Sequence, residues 1–238
     1  MQIIYEDCDI LAINKSAGVV VHHDKAHPPG GGGTLIDEIL EKYPEIKKVG
    51  DLMRPGIVHR LDKDTSGAIL IAKNQKTFDF LKTQFQERKI EKKYKALVVG
   101  NVKNESGTIN LPIGRSTKYP SKRVSGKRLK GKTREALTKW RVLGRFKGFT
   151  FLEVSPKTGR THQIRSHLSA IGYPVVCDSL YAGKKFVCPF GLARQFLHAS
   201  TLELALPTGL NIKLEADLPE DLQKVLQKLS EADINGKS

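Results

Sequence analysis

Residues 59–67 read His59-Arg60-Leu61-Asp62-Lys63-Asp64-Thr65-Ser66-Gly67, which sets one carboxylate, Asp62, between cations in a segment that ends at glycine. A carboxylate held beside a guanidinium and an ammonium favours its charged form, and that suits Asp62 to nucleophilic work rather than to general-acid work. The simpler alternative is a surface ion pair of Asp62 with Arg60 in a turn. Asp64, two residues on, could make a carboxylate pair with Asp62 and hold Mg²⁺ as in a metal-dependent nuclease. We read Asp64 instead as a loop residue that fixes the turn through Thr65, Ser66 or backbone N–H groups.

A second chemical feature is charge. The chain of 238 residues has 40 Lys plus Arg against 25 Asp plus Glu, a formal net charge of +15. Such an excess suits a polyanionic partner, because binding releases counterions from phosphates. Residues 118–134 concentrate it, with eight Lys or Arg and no acid, punctuated by serine and glycine. This stretch reads as a flexible basic loop or hairpin that contacts phosphate, with Lys127, Arg128, Lys130 and Lys132 as its candidate ligands. It lacks the amphipathic helical pattern that a membrane surface would require.

Other candidate chemistry is weaker. Val21-His22-His23-Asp24-Lys25-Ala26-His27 could pass for a metal cluster, yet it has no cysteine partners and no helical spacing, and it runs into Pro28-Pro29 and four glycines. We expect no metal site there. That glycine run ends without Gly-Lys-Ser/Thr, so it is not a phosphate-binding P-loop. Cys8, Cys177 and Cys188 are odd in number and scattered; the expectation is no disulfide and a reducing, cytoplasmic location. No run approaches about 18 apolar residues, and Met1–Asp7 lacks a secretory pattern.

The elements that must position these groups can be read from periodicity. Gln2–Tyr5, Ile10–Asn14 and Gly18–His22 alternate as short strands. Thr34 with Asp37 makes a capping box for a helix over Leu35–Lys42, which stops before Pro44. Ala68–Ala72 is a buried strand directly after Asp62. Gln75–Glu87 is a helix with Phe78, Leu81 and Phe85 on its core face. Lys92–Val99 is a strand that carries Tyr94. Ala136–Phe146 and Gly148–Val154 form a strand pair, and Arg160–Ile171 a helix. Phe196–Leu206 and Leu210–Leu214 are strands. A last helix starts from Asp217 and Glu220 as a capping box, with Leu218, Leu222, Val225, Leu226 and Leu229 on one face, before a polar tail at 231–238. No linker divides residues 1–230, and the order implies an α+β fold on a mixed, mostly antiparallel central sheet with flanking helices.

Three runs together carry a resemblance. Arg54-Pro55-Gly56-Ile57-Val58 leading into His59–Gly67, then Glu91-Lys92-Lys93-Tyr94-Lys95-Ala96-Leu97, then Thr158-Gly159-Arg160-Thr161-His162-Gln163-Ile164-Arg165-Ser166-His167-Leu168 resemble the motifs of the RluA-type RNA pseudouridine synthases. The likeness spans nearly the whole chain, from Ile4-Tyr5-Glu6-Asp7 and Ile13-Asn14-Lys15 to His198-Ala199. It implies two α+β subdomains around an active-site cleft, and a catalytic domain that begins at the first residues with no preceding S4-type RNA-binding domain. It implies isomerisation of uridine to pseudouridine in structured rRNA or tRNA, with no cofactor and no obligate protein partner.

By position, the resemblance makes Asp62 the catalytic aspartate. It lays Tyr94 against the target base and sets Arg165 beside Asp62 as its ion-pair partner. Arg60 would fill the space of the extruded uridine or hold the phosphodiester; His59, Arg160 and His162 are grouped with it as RNA contacts. Without the resemblance, Tyr94 is a core tyrosine and Arg165 a helix-surface cation. The chain departs from the family at Ser16 (usually proline), at Tyr173 (commonly histidine) and at Cys177 (frequently glycine). A non-catalytic RNA-binding or ribosome-assembly factor remains the rival reading.

Overall fold

The structure is a computed structural model that describes residues 1–23, 33–117, 119, 122–126 and 129–235, with Lys130 and Asn235 as backbone alone. Lys127 and Arg128, two of the expected RNA ligands, lie outside the described residues, as does most of the Asp24–Gly33 loop. The chain forms two compact units, residues 1–92 with 199–217, and residues 93–198 with 218–238.

The first unit opens with β1 (Gln2–Glu6) and β2 (Ile10–Lys15), paired antiparallel. α1 (Leu35–Lys42) starts on the expected capping box: the Asp37 N–H donates to Thr34 Oγ1 and the Thr34 N–H to Asp37 Oδ2. A short ribbon, β3 (Gly50–Asp51) with β4 (Arg54–Pro55), precedes the Asp62 loop. Next come β5 (Ser66–Ala72) and α2 (Gln75–Gln86), which Asn74 caps through the Thr77 N–H. All seven residues of β5 are buried, as its unbroken apolar run requires of a strand covered on both faces. Its neighbours are β2 and β13 (Leu197–Ala205), and the strand order is β1-β2-β5-β13. The expected strand over Gly18–His22 does not form; Val20 makes one isolated bridge to Thr34, because Gly18 takes a left-handed turn.

The second unit runs β6 (Glu91–Val99), β7 (Ser106–Asn110), β8 (Ile113–Ser116), β9 (Arg123–Ser125), β10 (Leu129–Arg134), β11 (Leu137–Phe146) and β12 (Phe149–Pro156). Then follow α3 (Gln163–Ala170), β13 (Leu197–Ala205), β14 (Asn211–Glu215) and α4 (Glu220–Asn235), with β14 and most of β13 belonging to the first unit. β6, β12, β11 and β7 pair antiparallel in that order, and a separate sheet has the order β10-β8-β9. The core of this unit joins Leu97, Trp140, Val154, Leu168, Phe196 and Leu222, so α3 and α4 pack on the sheet by their apolar stripes. The fold is thus α+β on mostly antiparallel sheet, as the element order implies.

Three expectations need correction. The last helix runs to Asn235, so 231–235 is not a tail, and it begins at Glu220 after Pro219, which leaves Asp217 outside the helix. The basic stretch, expected as a loop or hairpin, has described parts that form β9 and β10, which pair not with each other but with β8 between them, a strand whose Ile113-Gly114-Arg115-Ser116 sequence gives no apolar alternation. Finally, Cys177 and Cys188 form a disulfide across eleven residues. The Cys177 N–H donates to the Val187 carbonyl, which brings the two ends together; cysteine spacing alone does not reveal such a return.

Candidate active site

The approach to Asp62 is zipped onto β5. Gly56 accepts from the Ala72 N–H at 2.9 Å, Ile57 bridges Ile71, and His59 Nε2 accepts from the Leu70 N–H at 2.8 Å. Gly56 has φ +66°, and a Cβ there would stand 2.7 Å from the Ala72 carbonyl oxygen, so the zip requires glycine. The chain then turns: the Asp62 carbonyl accepts from the Thr65 N–H at 3.1 Å, with Lys63 and Asp64 at the exposed corner. β5 begins one residue later. Gly67, at φ +119°, lets the strand pass against the Ala199 backbone, where any Cβ would collide with the carbonyl.

A buried lysine ties this turn down. Lys15, 1% exposed at the end of β2, donates from Nζ to the carbonyls of Ser16 (2.7 Å), Val19 (2.9 Å) and Lys63 (3.0 Å). The Gly18 N–H also donates to the Lys63 carbonyl, at 2.9 Å. A compact ammonium with three donors can satisfy carbonyls from two chain segments at once. This explains the departure at Ser16: the exposed residue supplies a carbonyl, which any residue could supply. Sequence reasoning quoted Lys15 within Ile13-Asn14-Lys15 and gave it no role; the available signal was a lysine that continues the apolar strand Ile10–Ile13.

His59 and Arg60 diverge in role. The His59 ring stacks on Phe85 with centroids 4.7 Å apart, and burial, with Lys92 nearby, pushes its pKa down to about 3. A neutral imidazole whose Nε2 accepts a strand N–H holds the approach to Asp62 against β5. Arg60 is exposed, and its Nη1 lies 3.3 Å from Nε2 of His22. His22 Nδ1 faces the His23 carbonyl at 2.7 Å, an arrangement in which His22 donates at Nδ1 and accepts from Arg60 at Nε2. His23 in turn sits 2.8 Å from Asp37 on α1. The histidine run thus anchors the segment and aims Arg60.

In the second unit, Arg165 projects from the first half of α3 into a buried bidentate pair with Asp178: Nε to Oδ2 at 2.7 Å and Nη2 to Oδ1 at 2.9 Å. Asp178 Oδ1 also accepts the N–H groups of Leu180 and Tyr181, each at 3.1 Å. The guanidinium lies over the Tyr181 ring, 5.0 Å from its centroid. Fork-to-fork geometry with an aromatic face fixes an arginine more tightly than either contact alone. The Tyr181 hydroxyl accepts from the Arg123 N–H and meets His162 Nδ1, both at 3.0 Å. α3 starts at Gln163, later than the expected Arg160, because Gln163 Oε1 accepts from the Arg160 N–H and Thr158 Oγ1, while His162 adopts φ +55°. The sequence alone gives Asp178, like Lys15, no role. It had a signal: residues 93–198 contain only Glu105, Glu135, Glu153 and Asp178 as acids, and of these Asp178 alone is buried.

Tyr94 lies on β6 opposite Val154 of β12 and packs partly buried against the second unit's core. Arg160 donates from Nε to the Glu135 carbonyl at 3.1 Å and, with Lys132, lines a basic cavity beside β8.

With this geometry in hand, comparison places the chain. The profile of the RNA pseudouridylate synthase family matches residues 9–170. The chain belongs to that family. An uncharacterized RNA pseudouridine synthase of Bacillus subtilis, YlyB, is 39% identical over 230 residues, covering 96% of this chain and 73% of that protein. The ribosomal large subunit pseudouridine synthase D of Pseudomonas aeruginosa is 41% identical over 243 residues, covering 96% of this chain and 72% of its own length. Among solved structures, human RNA Pseudouridylate Synthase Domain Containing 4 superposes with a TM-score of 0.73 at 25% identity, over 96% of this chain and 93% of that one. The likeness read from the three motifs is therefore a family relationship, and this RNA pseudouridylate synthase has an isomerase's reaction to perform.

Proposed function

We propose that this synthase isomerises a uridine of ribosomal RNA, with Asp62 as the catalytic carboxylate, Tyr94 against the target base and Arg165 as the ion-pair partner that aims Asp62. The N1–C1′ bond breaks, the uracil rotates, C5 bonds to C1′, the C5 proton leaves and N1 ends protonated; atoms balance without any redox or group carrier. Asp62 assists departure of the base, by attack at C1′ or by removal of the 2′ proton. Tyr94 supplies a ring for stacking and a hydroxyl close to the late proton transfer at C5. Arg60, exposed and aimed by His22, follows the uridine into the gap its extrusion leaves.

The observation that carries this reading is the construction around Asp62, where a buried lysine, a histidine and two obligatory glycines hold one turn. A surface ion pair needs none of them. Ribosomal RNA is favoured because the Pseudomonas relative is named for the large ribosomal subunit, and that substrate suggests the cytoplasm as the place of work. Among the described residues no helix is long and apolar enough to cross a membrane.

Pseudouridine mapping of total RNA from cells with and without the gene, complemented by wild type or Asp62→Ala, tests the proposal. Sites lost in the knockout and restored only by wild type would support it and identify the uridine. Restoration by Asp62→Ala would favour the non-catalytic binding role.

A further inference from the structure

The basic excess of this protein is not spread over the chain. The first unit holds 15 Lys plus Arg against 17 Asp plus Glu, whereas the second holds 25 against 8. Within the second unit a cavity of about 690 Å³ opens beside the β10-β8-β9 sheet and the entry to α3. Its walls carry Arg115 from β8, Arg123 from β9, Lys132 and Arg134 from β10, and Arg160 from the segment before α3. Among the described residues the lining includes no carboxylate and no aromatic ring; the rest is three hydroxyl side chains, three glycines and one isoleucine.

The sheet accepts a cost to build this wall. Arg115 stands directly opposite Arg123 in the register, and Lys130 is its Cα partner on the other side. Like charges facing across strands destabilise a sheet, and residues that break a local rule without compensation mark a functional surface. Arg160 is held in place by its bond to the Glu135 carbonyl, so Glu135, which directly follows Arg134, offers Arg160 its backbone. Five cations without an acid compensate several closely spaced negative charges. Arg and Lys are the side chains that pair with phosphate oxygens, Arg through a bidentate fork and Lys as a point charge.

We propose that this cavity is a phosphate-run subsite, which grips successive phosphodiesters of the RNA strand flanking the target nucleotide. The inference rests on the RNA-modifying reading above and extends it to a defined set of residues. The shared chemistry, a run of phosphates, is also that of a free polyphosphate, and the test separates the two.

Gly159 offers a clean probe. It lines the cavity, a Cβ there would meet nothing within 4 Å, and its φ lies outside the left-handed region, so Gly159→Glu introduces a negative charge with no clash at Cβ and no backbone strain. The second variant is the triple change Arg115→Gln, Lys132→Gln, Arg134→Gln. Binding of a labelled rRNA stem–loop with single-stranded flanks, and of inorganic tripolyphosphate, is measured on the full chain over a range of salt. We expect each variant to weaken RNA binding at least tenfold, and the triple change to lower the log–log salt slope by roughly 2 units for three single-strand phosphates, at about 0.7 each.

RNA affinity within twofold of wild type and an unaltered salt slope in both variants would overturn the proposal. So would tight tripolyphosphate binding that both variants abolish while RNA binding persists, which would reassign the cavity to a free polyphosphate. Pseudouridine formation is scored in the same reactions: its absence in wild type would sink the synthase reading, whereas the binding curves still decide the cavity.

Discussion

At Asp62 the chemical and structural roles of a single side chain can be separated. Asn is nearly isosteric with Asp, and phosphate contacts supply most of the affinity for RNA. Asp62→Asn should therefore abolish isomerisation while leaving RNA affinity within a few fold; collapse of binding in a gel-shift titration would contradict a purely catalytic role. Lys15 predicts the opposite split. It touches no substrate, yet the carbonyls of Ser16, Val19 and Lys63 lose a common charged donor in Lys15→Met. Unsatisfied buried carbonyls should lower stability by about 2–4 kcal/mol. A turn displaced by even about 1 Å should also lower kcat by roughly 100-fold with KM little changed. A variant that loses stability but keeps wild-type kcat below its melting range would show that Lys15 does not position Asp62.

The elements were legible in the sequence where periodicity is local. The capping box at Thr34 and Asp37, the buried run of β5 and the alternation of β12 depend on neighbours in the chain, and these elements form where the pattern puts them. What was not legible depends on contacts distant in sequence. β8 shows no alternation because its structure comes from pairing β9 and β10, and Lys15 and His59 read as charged residues until a carbonyl or a strand N–H arrives from elsewhere. Cys177 falls between the two cases. Its φ of +58° explains why glycine is frequent at this position, and the departure was visible in the sequence while its disulfide partner was not. Loss of the bridge in Cys188→Ser should cost about 2–3 kcal/mol for a loop this short, and Cys177→Gly should regain about 1 kcal/mol of that by relieving the left-handed backbone. The glycine variant should melt about 2–4 °C above the serine variant, and neither should respond to reductant. Equal melting temperatures would show that Cys177 carries no backbone strain. His59 gives an element-scale pH dependence. The folded protein keeps its imidazole neutral down to about pH 3, whereas the unfolded chain binds a proton near pH 6.5. The unfolded state therefore binds more protons between those values, and stability falls as pH falls through that window, by at most about 1.4 kcal/mol per pH unit from this group. Urea midpoints of wild type and His59→Gln at several pH values should diverge least at low pH; parallel curves would mean that His59 titrates normally in the fold.

For the whole molecule, charge is divided unevenly between the two units that carry the proposed site residues. Asp62, Arg60 and Lys15 lie in a unit with slightly more acids than bases, whereas Tyr94, Arg165 and the basic cavity lie in a unit with about three bases for each acid. Exposed charges act over roughly 8 Å at physiological salt, so the long-range attraction of RNA should originate almost wholly in the second unit. Lys47, Lys48 and Lys76 are exposed lysines of the first unit, away in sequence from the Asp62 turn. Changing all three to glutamine removes as much formal charge as the triple change in the cavity. If net charge alone attracted RNA, the two triple variants would lose affinity equally and shift the salt slope by the same amount. If the distribution decides, the first-unit variant should bind within twofold of wild type with an unaltered slope, while association of the cavity variant slows at low salt and approaches the wild-type rate as salt rises. Stopped-flow association at several ionic strengths distinguishes these cases directly, and equal losses would assign the attraction to the total of +15 rather than to its placement.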